Sequence, residues 1–206
     1  MSEPARGAVF ADGEAYEKFM GRRSRVCGRK FVDWLNLSEG LEWLDAGCGT
    51  GALGEVILDM CAPSVLNGID PSEPQIKGAR GKIANSRAAF HIGDAMDMPF
   101  GEASFDVAVS SFALNYVPDK QKMMNEMARV VRPGGTVATM VFDHAGGEDP
   151  ARHFWRPVIA RDAAFYEAEF KKRGWDITRP DIIEGFFKAA GLVEIEIHAI
   201  TFEDAY

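Results

Sequence analysis

Leu44-Asp45-Ala46-Gly47-Cys48-Gly49-Thr50-Gly51 joins an apolar run, residues 41–46, to a helix-patterned stretch, residues 52–60. Glycine lacks a Cβ, so the backbone here can turn tightly and come close to a ligand. The helix that follows directs unpaired N–H groups and the positive end of its dipole at the same place, which suits a carboxylate or a phosphate. A strand, a glycine loop and a helix in this order open an α/β sheet. The loop alone leaves the ligand open. Gly47, Gly49 and Ala52 also satisfy the G-x-G-x-x-[GA] dinucleotide fingerprint, with Asp70 standing about 20 residues onward.

The flanking pattern extends the same architecture in both directions. Leu53, Val56, Ile57 and Met60 fall on one helix face, fit to pack on a sheet. Residues 65–69 read as a second strand ending at Asp70, and Pro71-Ser72-Glu73-Pro74 starts the next helix, where an early Pro sacrifices no hydrogen bond. A third strand spans 89–92 and ends at Gly93-Asp94. A fourth, 105–110, is apolar enough to be buried on both faces. Residues 118–131 form a helix stopped by Arg132-Pro133-Gly134-Gly135, and 135–142 the fifth strand. Helices are expected over 151–175 and 180–190, and a sixth strand over 193–200. Ahead of the loop, 14–37 read as one or two helices with Phe31, Trp34 and Leu35 at helical spacing. The alternation predicts a Rossmann-like α/β fold, a doubly wound, mostly parallel sheet with helices on both faces.

Composition narrows the partners. The 206 residues are 47% hydrophobic and 26% charged, ordinary for a globular domain, and the net charge of −8 disfavours tracking along nucleic acid. Arg22, Arg23, Arg25, Arg29 and Lys30 form one basic cluster, which reads as a solvated helix face. Cys27, Cys48 and Cys61 lack metal-ligand spacing and are odd in number, which suits a reducing, cytoplasmic setting. The N-terminus shows no apolar signal region, and no apolar run is long enough for membrane insertion.

Five segments in order carry a more specific resemblance. They are residues 44–51, Gly68-Ile69-Asp70-Pro71-Ser72, and Gly93-Asp94-Ala95-Met96-Asp97-Met98-Pro99-Phe100. Ser104-Phe105-Asp106-Val107-Ala108-Val109-Ser110 and Arg129-Val130-Val131-Arg132-Pro133-Gly134-Gly135 complete the set. With these the chain resembles the class I S-adenosylmethionine-dependent methyltransferases, in the type 11 group that includes the ubiquinone- and menaquinone-biosynthesis enzymes. The resemblance runs from about Tyr16 to Ile200. It implies S-adenosyl-L-methionine as cofactor, held by Asp45, Ala46, Gly47, Cys48 and Gly49 of the loop and by Asp70 and Pro71. Asp70, at a strand end, can accept both ribose hydroxyls or serve as a helix cap. Asp94 is implied to accept the adenine amino group, with the Ala95 N–H donating to a ring nitrogen. Ser110 is implied to line the methyl-transfer cleft, where ligands of open α/β sheets bind. Phe112 and Tyr116 suit either core packing or the cleft, where an aromatic face attracts a sulfonium. Tyr16 and Arg22 resemble a segment that folds over the cofactor, Arg22 being suited to a carboxylate.

The implied reaction is methyl transfer to a small-molecule acceptor at O, N or C by in-line displacement. Positioning suffices for it, and no catalytic residue is assigned. His144 is placed as a general base or as a plain loop residue, while His153, Trp155, Phe165 and Tyr166 suit a helical cover over the substrate. No Asn/Asp-Pro-Pro-Tyr follows the fourth strand and no Pro-Cys pair is present, which argues against amino-group methylation of adenine or glutamine and against cytosine C5 chemistry. A non-catalytic S-adenosylmethionine-binding protein and a nicotinamide-dependent oxidoreductase are the competing readings. The second leaves Asp94-Ala95 and Arg132-Pro133-Gly134-Gly135 without a role.

One methyltransferase domain is expected over 1–206: cofactor-covering helices at 1–40, the cofactor-binding core at 41–143, a substrate-side cover at 144–191 and a final strand and tail at 192–206. The resemblance implies seven strands in the order 3-2-1-4-5-7-6, and the seventh has no sequence to form it before Tyr206. The fifth strand would then keep an open edge. The expected partners are a small molecule and a second copy in a homodimer.

Overall fold

The computed structural model describes residues 21–144, 150–172 and 175–201. Its five strands are β1 (Glu42–Ala46), β2 (Val65–Asp70), β3 (Ala88–Ile92), β4 (Phe105–Ser111) and β5 (Val131–Met140). All neighbouring pairs are parallel and lie in the order β3-β2-β1-β4-β5. The reversal falls between β1 and β4, so the C-terminal ends of these strands frame the crevice where open α/β sheets bind ligands.

The sheet is covered on both faces. On one lie α1 (Arg22–Leu35) and α2 (Ala52–Met60), which bury Phe31, Val32, Leu53 and Ile57 against Trp43, Val107 and Val109. On the other, α4 (Lys120–Val130) buries Met123, Met127 and Val130 against Leu44 and Ala108. Between them in sequence, α3 (Glu73–Lys82) brings Ile76 and Ala79 onto Cys48 and Phe90. Adjacent residues of β1 and of β4 thus enter opposite layers, as a strand's two-residue period requires. Each large side chain so buried contributes roughly 1.5–3 kcal/mol.

The basic cluster on α1 is partly paired. Arg25 Nε meets Glu55 Oε2 at 2.6 Å and Arg29 Nη2 meets Asp59 Oδ2 at 2.5 Å, both across to α2. Arg132 ties three strand beginnings together: its guanidinium donates to Asp106 Oδ1 (2.8 Å), Glu42 Oε2 (2.5 Å) and the Ser104 carbonyl (2.7 Å). The Glu42 N–H and the guanidinium hold the Asp106 carboxyl below its ordinary range.

Two expectations change. The helical stretch expected at 151–175 is α5 (Pro150–Arg161) and α6 (Ala163–Lys172), interrupted where Asp162 Oδ1 accepts the Phe165 N–H at 2.9 Å; a 3-10 turn (Trp175–Thr178) and α7 (Pro180–Ala189) follow. The sixth strand expected at 193–200 is not a strand. Glu194 takes φ 53°, which breaks an extended run, and the segment lies on α1 instead. There His198 stacks on Trp34 with ring centroids 5.6 Å apart, and the Thr201 carbonyl accepts from Lys30 Nζ at 2.5 Å. Among the described residues, β5 has β4 as its single neighbour. None of the described helices is long and apolar enough to cross a membrane.

Candidate functional site

The loop after β1 is pinned by β2. The Gly47 and Cys48 N–H groups donate to the Ile69 carbonyl at 2.8 and 3.0 Å, and the Gly49 N–H donates to Asp70 Oδ2 at 3.0 Å. Asp70 Oδ1 accepts the Ser72 N–H at 2.9 Å, so the carboxylate links the loop to the start of α3. Each oxygen of Asp70 keeps a lone pair for a further donor. Burial pushes its carboxyl up, against the pull of those two N–H groups. Ser72, not Asp70, holds the N-cap position of α3, and its side chain makes no capping hydrogen bond.

Gly47 and Gly49 do different work. Gly47 has φ +76°, and a Cβ there would collide with the Ala113 Cβ, so the loop needs glycine to seat the chain that leaves β4. Gly49 has φ +53°, and the one atom near its missing Cβ is Gln75 Oε1 at 3.7 Å. Gly49 is therefore the position where the loop is open to a ligand. The Cys48 thiol is buried and held well above its ordinary range by that burial and by Asp45 and Asp70.

Asp45, next to last in β1, is the most unusual group. It is 1% exposed, and neither carboxylate oxygen has a hydrogen-bond partner. Burial, with the charge of Asp70 adding to it, raises the carboxyl from 3.8 to about 7. Ser110, near the end of β4, is fully buried and its Oγ is also unpartnered. A buried polar atom without a partner costs about 1–3 kcal/mol, more for a charge. These orphaned oxygens stand at the C-terminal ends of β1 and β4, beside the glycine loop. A cation or hydrogen-bond donor there would satisfy them. A ligand bearing an ammonium, a sulfonium and ribose hydroxyls fits this set, whereas the buried Asp45 carboxyl beside the loop disfavours a pyrophosphate; Asp70, a ribose acceptor for either cofactor, does not discriminate.

After β3, Asp94 Oδ1 accepts the Met96 N–H at 2.8 Å in a tight turn, which leaves Asp94 exposed and Ala95 buried. The segment behind it is fixed by α4: Glu126 Oε2 accepts the Met98 N–H (2.8 Å), and Arg129 donates to the Met98 and Phe100 carbonyls. Beyond β4, Phe112 adopts φ 57°, rare for a bulky side chain. It is held there by its N–H to the Met140 carbonyl (2.7 Å) and by stacking on Phe142 at 4.2 Å. Phe112 is thus core and Tyr116 is half exposed, which separates two aromatics the sequence left equivalent. Asn115 lies between them, and its buried Oδ1 is unpartnered.

Asp45, Ala46, Gly47, Cys48, Gly49 and Asp70 come together at one edge of the crevice, with Pro71 exposed beside them. Arg22 opens α1 with an exposed side chain. Tyr16 lies outside the described residues, as do the side chains of His153 and Trp155. His144 is half-buried, its ring 6.0 Å from Phe142. Phe165 is exposed on α6 and Tyr166 packs near Phe170. Gln75 escaped the sequence reading, because a polar residue early in an amphipathic helix reads as surface.

Comparison with known proteins agrees with this geometry. Residues 44–139 match the family described as a methyltransferase domain. The O-methyltransferase cnsE of Penicillium expansum is 31% identical over 79% of this chain, which spans 56% of that protein's length. The demethylmenaquinone methyltransferase of a Geobacillus strain is 26% identical over 91% of this chain and 88% of its own. Among solved structures, a putative methyltransferase in complex with the Haloferax volcanii Trm112 activator superposes with a TM-score of 0.63 at 26% identity, covering 84% of this chain and 77% of that one.

Proposed function

We propose that this chain, which belongs to the class I S-adenosylmethionine-dependent methyltransferases of the ubiquinone- and menaquinone-biosynthesis-like group, methylates a small-molecule acceptor at O, N or C. The observation that carries the reading is the pair Asp45 and Asp70 at the glycine loop, one carboxylate buried without a partner and the other holding Gly49. When bound, S-adenosyl-L-methionine supplies an electrophilic methyl group on a sulfonium, whose departing sulfur needs no proton.

The chain's own residues supply position and electrostatics. Asp70 accepts from the ribose hydroxyls through its remaining lone pairs. Asp45 gains the cationic neighbour that its buried carboxylate lacks. Asp94 and the Ala95 N–H present an acceptor and a donor to the adenine edge, and Pro71 flanks it. Ser110 and Asn115 border the acceptor side with unpartnered oxygens. Arg22 is assigned to the methionine carboxylate. Bringing acceptor and donor into a near-attack arrangement away from water accounts for rate without a dedicated catalytic residue. Where the acceptor must lose a proton, His144, just after β5, is the candidate base.

Titration calorimetry with S-adenosylmethionine, S-adenosylhomocysteine and NADH tests the cofactor. S-adenosylhomocysteine is expected to bind the wild type and to lose affinity in Asp70→Ala; binding of NADH alone refutes the reading. Formation of S-adenosylhomocysteine against a panel of phenols, quinols and amines then identifies the acceptor atom.

A further inference from the structure

Gln75 lies in the first turn of α3, is 2% exposed, and has an Oε1 with no hydrogen-bond partner. Its neighbours on that helix, Ile76 and Ala79, pack into an apolar cluster with Cys48, Ile83 and Phe90. A Met or Leu at 75 would extend that cluster without an orphaned carbonyl, so packing does not explain an amide here. The orphaned oxygen instead stands 3.7 Å from where a Cβ on Gly49 would sit, and beyond the adjoining residues of the loop no other atom lies within 4 Å of that point. On the same residue, the Gly49 N–H is taken by Asp70 Oδ2 at 3.0 Å. Asp70 and Gln75 therefore meet at one glycine, the position where the loop is open.

We propose that Gln75 is a second ribose acceptor, its Oε1 taking a hydrogen bond from a ribose hydroxyl of the adenosyl group alongside Asp70. The inference rests on the cofactor reading above. It assigns the ribose rather than the methionine end because the shared neighbour is the glycine held by Asp70. An uncharged amide also adds an acceptor without a third carboxylate next to Asp45 and Asp70, where like charges already oppose ionisation.

The test is titration calorimetry of wild type, Gln75→Met and Gln75→Asn with S-adenosylhomocysteine and its 2′-deoxy and 3′-deoxy analogues. Met conserves volume and removes the acceptor; Asn keeps the amide and withdraws it by one methylene. Both variants should lose about three- to tenfold in affinity for S-adenosylhomocysteine. For one of the deoxy analogues they should bind as the wild type does, because the hydroxyl that Gln75 meets is already gone. Thermal denaturation of the ligand-free Met variant should show a midpoint at or above the wild type's, which a purely structural glutamine would not give. Equal losses for all three ligands, or unchanged affinity in both variants, overturn the assignment of Gln75 while leaving the cofactor reading intact. A folded wild type that fails to bind S-adenosylhomocysteine overturns both.

Discussion

Replacing Asp45 by asparagine separates what the buried carboxylate costs the fold from what it does for a ligand. Asp45 titrates at about 7 in the folded protein against 3.8 ordinarily, and it is fully buried. Its folded-state pKa is raised, so its contribution to stability is fully present below 3.8 and is lost as pH climbs through about 7. At about 1.4 kcal/mol per pH unit, this mismatch costs the ligand-free protein on the order of 4 kcal/mol at about pH 8 and about half that at about pH 5. The asparagine of Asp45→Asn does not titrate and carries no such penalty. Urea denaturation of ligand-free wild type and Asp45→Asn at both pH values should therefore show the variant's advantage growing by about 2–3 kcal/mol from the lower pH to the higher. Because the comparison is between two pH values, any fixed cost of the amide cancels. An advantage that is the same at both, within about 0.5 kcal/mol, refutes the claim that Asp45 is a strained, unpaired acid. The same variant should bind S-adenosylhomocysteine more weakly, since the ligand's ammonium loses its buried counter-charge.

Other outcomes follow from the same geometry. Affinity of the wild type for S-adenosylhomocysteine should rise as pH climbs through about 7, where Asp45 ionises, and calorimetry across that range should find the rise missing in Asp45→Asn. Gly47→Ala should destabilise the fold by about 1–3 kcal/mol, through its positive φ and the clash with Ala113, and Ala113→Gly should restore part of that in denaturation. Gly49→Ala meets no close atom but must hold φ +53°, so it should cost about 1–2 kcal/mol in denaturation from the left-handed backbone alone and lower ligand affinity besides. Arg132→Met should lower the midpoint by uncoupling the starts of β1, β4 and β5, while affinity for S-adenosylhomocysteine stays within about twofold.

The sheet and its glycine loop were legible because both are local statements. Residues 105–110 are apolar enough to read as a doubly covered strand, and the chain buries them between two helical layers. The place of Asp70 beside the loop was legible because it ends an apolar run, although its hydrogen bonds from the Gly49 and Ser72 N–H groups were not. What the sequence withheld is what stands opposite a given residue. The alternation Val193-Glu194-Ile195-Glu196-Ile197 reads as a strand, yet strand propensity becomes a strand only with a partner to bond, and Trp34 and Lys30 of α1 offer a different resting place. Gln75 carried no signal in the sequence because helical periodicity reports a face without naming what covers it. Arg132 stands inside a turn motif that its glycines already account for, and nothing in that motif reports that its guanidinium reaches Glu42, 90 residues away. The unpartnered oxygens of Asp45 had no sequence signal beyond their place before the glycines.

The seat of Ala113 against Gly47 bears on how the two halves of a two-substrate site communicate. The chain that leaves β4 through the strained Phe112 rests on the loop that carries the donor, with the unpartnered Oδ1 of Asn115 two residues further on. On the function proposed above, a displacement of residues 112–115 by an incoming acceptor should be felt at Gly47, and a ligand that fixes Gly47 should fix the far wall. The coupling is a thermodynamic linkage and so is reciprocal: the factor by which acceptor changes affinity for S-adenosylhomocysteine equals the factor by which S-adenosylhomocysteine changes affinity for acceptor. One contact between two small residues thus couples donor and acceptor in equal measure, whichever of the two arrives first.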